Sequence, residues 1–211
     1  MTHYSTTDEK GKLSIDELSA RGVDAFLTED AWESFGKRYH FGAEDMPHIR
    51  GVFEAMKGLL TPEVCYAVAE TPVRYLTTRR FLVCAVTLGD APDSLQELYL
   101  TRAAVGDAYV VESLGSFVLE NMYRMLPERL HARTGLWMRG MEFSEDRAEL
   151  AEQLALLEET DCAVTLTEYG MLLPKASVVF TSALTKEKPA CPQTVCAGCP
   201  RTDCPTRHPA A

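Results

Sequence analysis

The chain changes its hydrophobic period once along its length, and that change limits the folds open to it. Between Val110 and Met125 the apolar residues Val110, Leu114, Phe117, Val118, Met122 and Met125 recur at helical spacing. They predict one long amphipathic helix, which Pro127 should kink or end. Ser144 to Glu159 predicts a second strong helix, with Ser144 as its cap and acidic residues in the first turn. From Cys162 to Leu184 the pattern becomes alternating. The run CAVTLTEYGMLLPKASVVFTSAL is rich in Val and Thr, is punctuated by Gly170 and Pro174, and predicts two or three strands. A further run, FLVCAVTLG from Phe81 to Gly89, is short, apolar and followed by the turn sequence DAPD, as a buried strand would be. Strands beside grouped helices, without regular βαβ alternation, indicate an α+β fold.

The N-terminal part is helical in pattern. Residues 1–12 are expected to be disordered. Ser14 could cap a short helix, SIDELSARG, stopped at Gly22. Thr28 precedes a second, EDAWESFGKRY, and a third runs from about Asp45 to Leu60, ending before Thr61-Pro62. The expected organisation is a disordered segment 1–12, a folded unit 13–184 and a Cys-rich tail 185–211.

Composition narrows the class of function. The 211 residues suffice for a sizeable core, and 46% hydrophobic with 25% charged residues is ordinary for a soluble protein. No apolar run reaches the roughly 18 residues of a membrane span, and the polar N-terminus lacks a secretory leader, so a cytoplasmic location is expected. A net charge of −10 argues against non-specific nucleic-acid binding. The charge is uneven. From Lys186 onward Lys186, Lys188, Arg201 and Arg207 face only Glu187 and Asp203, so the tail is cationic and the body carries the acid excess.

Four of the seven cysteines lie in that tail: Cys191, Cys196, Cys199 and Cys204, spaced C-x4-C-x2-C-x4-C. Thiols this close form a chelating set, and nearby cations favour the thiolates that bind metal. Four soft ligands suit tetrahedral Zn2+ or an iron–sulfur cluster. The alternatives are a reduced tail without a ligand and labile disulfides. Cys65, Cys84 and Cys162 stand in apolar contexts and read as small buried hydrophobes. The five histidines are scattered, and no phosphate loop, dinucleotide fingerprint or nucleophile elbow occurs. The segment GLWMRG puts Arg139 and Trp137 between two strong helices, where a ligand mouth could open.

Four stretches, in order, resemble the reactivation (activation) domain of cobalamin-dependent methionine synthase, including its small stand-alone members. They are the strand-plus-Gly segment containing CAVTLG (Val83 to Leu88 and the glycine that follows), DAYVVESLGSFVLENM (Asp107 to Met122), LTEYGMLLPKASV (Leu166 to Val178) and the tail CAGCPRTDCPTR. The resemblance implies a twisted, mainly antiparallel sheet flanked by helices. It implies a protein that supports reductive methylation of an oxidised corrinoid, cob(II)alamin, held by a partner methyltransferase, with S-adenosylmethionine as methyl donor. The implied partners are a cobalamin-binding protein and a flavodoxin or ferredoxin electron donor. It assigns Glu120 to the helix glutamate of the ligand site, Arg139 to the arginine of an Arg…Pro-Gly-Tyr segment and Phe143 to its tyrosine. Met141 and Glu142 stand at the Pro and Gly positions. The alternative is an iron–sulfur or zinc protein of the same fold, acting in electron transfer or as a scaffold for a corrinoid protein without S-adenosylmethionine.

Overall fold

The computed structural model describes residues 5–14, 22–72 and 78–189. Its centre is a five-stranded sheet, built from β1 (Ser5–Ser14), β2 (Glu63–Pro72), β3 (Thr78–Thr87), β4 (Trp137–Glu142) and β7 (Ser177–Thr185) in the order β1-β2-β3-β7-β4. Every neighbouring pair is antiparallel. A separate two-stranded ribbon joins β5 (Thr165–Leu166) to β6 (Leu172–Leu173). The fold is α+β, as the grouped periodicities imply.

The apolar run of β3 is continuous because both faces of the sheet are covered. Leu82, Cys84 and Val86 enter one core, while Val83 and Ala85 enter another. The register carries this division across the sheet, with Tyr66, Cys84 and Phe180 in one row and Cys65, Ala85 and Val179 in the next. The larger core lies under α1 (Glu29–Tyr39), α2 (Met46–Lys57) and α4 (Val105–Thr134), with Leu95 and Tyr99 of α3 (Ala91–Thr101) at its margin. The smaller one lies under α5 (Arg147–Ala155) and the segment that follows, through Leu150, Leu157 and Val164.

The helices follow local chemistry. Thr28 caps α1 by accepting the Ala31 N–H at 3.3 Å. Fully buried Leu114, Val118 and Met122 form the inner stripe of α4. Pro127 does not end that helix, which continues to Thr134. Leu126 and Leu130 on either side are buried, and their packing outweighs the lost backbone hydrogen bond.

Other sequence expectations are corrected. The stretch read as disordered holds an edge strand from Ser5, stabilised by pairing with β2, by burial of Leu13 and by contacts of Lys10 and Lys12 with Glu159 and Asp161, non-local contacts that its charged sequence does not announce. The proposed helix from Ser14 falls mostly on residues 15–21, outside the described residues, and Gly22 opens a short 3-10 helix, Gly22–Phe26. The sequence DAPD begins α3, with Pro92 in its first turn. The cap of α5 is Asp146, which accepts the Glu149 N–H at 2.9 Å. Ser144 instead accepts the Asp146 N–H at 3.1 Å and donates to Glu149 Oε2 at 2.7 Å. Among the described residues, no helix is long and apolar enough to cross a membrane.

Candidate functional site

Glu120 lies on the side of α4 that meets α1, with 9% of its surface exposed. Arg38 of α1 forms an ion pair with Glu120 Oε2, and Arg124, one turn along α4, reaches Oε1 at 3.1 Å. The guanidinium of Arg38 also lies 5.5 Å from the centre of the Tyr39 ring. Burial raises the Tyr39 phenol above its ordinary range, against the opposing charge of Arg38. A carboxylate held by two arginines is a structural brace, and a ligand amine or hydroxyl would have to compete with them.

Arg139 sits on the edge strand β4. Alternation buries Met138 in the larger core and leaves Arg139 outward, while Met141, three residues after Met138, reaches the same core because the alternation breaks between them. Its backbone N–H donates to Ser182 Oγ at 3.1 Å, which anchors the strand and leaves the side chain open. An irregularity in pairing between Arg139 and Glu142 reflects the positive φ of 80° at Gly140. Arg139 lines an open cleft of about 660 Å3 with Arg80, Glu142, Thr185 and Lys186. Arg80 is engaged by Glu70 at 3.1 Å. The cleft therefore gathers three cations, at one sheet end of a chain whose net charge is −10.

Phe143 is 40% exposed, and its ring packs 5.8 Å from that of Phe180 in the larger core. Neither Phe143 nor Glu120 lines the Arg139 cleft. Glu120, Arg139 and Phe143 thus do not gather into one cradle: the first is enclosed by arginines, the second turned to the open edge, the third laid on a core aromatic. Of the three, only Arg139 lines the cleft, and no chemical step is assigned to them.

The four tail cysteines, Cys191, Cys196, Cys199 and Cys204, lie outside the described residues. Among the described residues there is no group of three or more His, Cys, Asp or Glu that could hold a metal ion. The last described stretch is tied down: Lys188 pairs with Glu128 at 2.7 Å and lies 4.7 Å from the centre of the Trp137 ring. Trp137 in turn stacks on His131 at 3.9 Å. The tail therefore begins beside the last turns of α4 and the start of β4.

Sequence reasoning missed Arg38 and Arg80, whose roles arise from contacts between distant elements. It also treated Cys162 as a buried hydrophobe, whereas the thiol is partly exposed and lies beside Cys65.

No family profile matches the chain, and a search of curated proteins found no match. Solved structures do match. One is a crystal structure described as the MetH reactivation domain bound to AdoHcy. It superposes with a TM-score of 0.56 at 13% identity, over 82% of this chain and 78% of that one. The chain therefore resembles the methionine synthase reactivation domain in fold.

Proposed function

We propose that the protein is a reactivation-domain-like partner of a corrinoid methyltransferase, supporting reductive methylation of cob(II)alamin on that partner with S-adenosylmethionine as methyl donor. The observation that carries this reading is the coincidence of fold and motif order. The matched fold spans most of the chain, and three of the resembling stretches fall on β3, on α4 and on the β5–β6 ribbon leading into β7. A flavodoxin or ferredoxin would supply the electron. Of the expected ligand residues only Arg139 offers an open guanidinium, suited to a two-pronged hydrogen bond with a carboxylate. The test is an absorbance assay. A cobalamin-loaded methyltransferase from the same cells is oxidised to cob(II)alamin and given reductant and S-adenosylmethionine. Faster appearance of methylcobalamin when this protein is added supports the reading, and an unchanged rate refutes it.

A second reading is favoured by the engagement of Glu120 with Arg38 and Arg124. In it the fold is retained without S-adenosylmethionine binding, and the tail cysteines hold zinc or an iron–sulfur cluster for electron transfer or scaffolding. Metal analysis of anaerobically purified protein tests it. Stoichiometric iron or zinc that is lost when Cys196 and Cys199 are changed to Ser supports this reading, and metal-free protein refutes it.

A further inference from the structure

The smaller core holds a pair of thiols that the proposed function does not use. Cys65 on β2 is 1% exposed, while Cys162 is partly open to solvent. Contacts on both sides of Cys162 fasten it to the strands around Cys65. The preceding carbonyl, of Asp161, accepts a hydrogen bond from Lys12 Nζ at 2.8 Å. The following N–H, of Ala163, donates to Glu63 Oε1 at 3.2 Å. Lys12 is the register partner of Cys65 across β1 and β2, and Glu63 lies two residues before Cys65, on the same face. Cys65 Sγ lies 3.9 Å from Glu63 Oε1, and Lys12 pairs with Glu63 Oε2 at 2.8 Å. Asp161 takes a left-handed conformation, φ 53°, at the turn that presents Cys162.

We propose that Cys65 and Cys162 form a redox-active dithiol, a modification site at which Cys162 is the attacking thiol and Cys65 the resolving one. The groups around the pair divide the roles. A hydrogen bond from Cys65 lowers the Cys162 thiol to about 7, with help from the Val164 N–H and Lys12 and against burial and Glu63. The same hydrogen bond, together with burial, raises Cys65 far above the ordinary thiol range, so the shared proton stays on Cys65. The neighbouring Cys84 is fully buried, and burial raises its thiol as well, which leaves it inert.

The oxidant is a low-molecular-weight disulfide, RSSR. The Cys162 thiolate attacks one sulfur, the S–S bond of RSSR breaks, and one thiolate leaves and takes up a proton. Cys65 then gives its proton to solvent and its sulfur attacks Cys162. The mixed S–S bond breaks, a second RSH is released and the Cys65–Cys162 disulfide remains. Two protein thiols are oxidised and one RSSR is reduced to two RSH.

The experiment treats the reduced full-length protein with oxidised glutathione, blocks the remaining thiols and maps the peptides by mass spectrometry. The expected product joins the Cys65 peptide to the Cys162 peptide. In Cys65→Ala the reaction stops at a glutathione adduct on Cys162, and in Cys162→Ser the Cys65 peptide stays unmodified. Wild-type protein in which Cys162 remains free, keeps a lasting adduct or is joined to a tail cysteine overturns the proposal. The wild-type map decides the matter even if a variant fails to fold.

Discussion

Arg38, near the end of α1, makes an ion pair with Glu120 at the middle of α4, and this contact joins the N-terminal helices to the longest helix of the fold. The side chains are 20% and 11% exposed, so removing either charge leaves the other poorly solvated. Arg38→Ala should destabilise the fold by about 2 kcal/mol, lowering the melting temperature by roughly 4–8 °C. Glu120→Gln, which can still accept from one arginine, should cost less. Thermal melts check the order. An Arg38→Ala protein as stable as the wild type would show that the brace carries no net weight.

Lys12 gives a prediction in pH. Its ammonium is held above its ordinary range, chiefly by the hydrogen bond to Glu63, with burial opposing. A pKa raised on folding contributes stability that is complete below the unfolded value, about 10.4, and is lost as pH rises through the folded value. The side chains are 36% and 20% exposed, so water screens the pair and the contribution is at most about 1 kcal/mol. In a Cys162→Ala background, which removes the thiol that Lys12 also influences, the difference in urea midpoint between Lys12 and Lys12→Met should therefore be steady to pH 9 and shrink towards zero by about pH 12. Tyr39 titrates in the same alkaline direction in both proteins and cancels in the comparison. A difference that stays constant through that range contradicts the assignment.

Gly89 ends the run after β3 at φ 79°, where its N–H donates to Thr87 Oγ1 at 3.1 Å. A Cβ at this position would overlap the Thr61 hydroxyl. Gly89→Ala should cost roughly 2 kcal/mol by adding that overlap to left-handed strain. Adding Thr61→Ala should recover the overlap and leave about 1 kcal/mol of strain. Urea melts of the single and double variants separate the two parts, and full recovery in the double variant would rule out the backbone contribution.

The sequence announces what is locally determined. Thr28 is a hydroxyl that caps the helix following it, and Leu114, Val118 and Met122 repeat at helical spacing; both features survive in the structure. The run in β3 is apolar on both faces, which states directly that the strand is central. Strand β1 could not be read this way, because Lys10 and Lys12 owe their place to partners on β2 and to the segment at Glu159–Asp161. Pro127 misleads because a local rule yields to burial on both sides of it. At the candidate site, Arg139 stands out in the sequence through the GLWMRG segment and through the resemblance, whereas the arginines around Glu120 and the approach of Cys162 to Cys65 are tertiary contacts with no sequence spacing to betray them.

The most direct measurement of the central claim is calorimetric titration of the full-length protein with S-adenosylmethionine, beside Arg139→Ala. The account predicts saturable binding to the wild type and binding about tenfold or more weaker in the variant, the loss expected for one charge-assisted contact. No heat and no thermal stabilisation at millimolar ligand would contradict it.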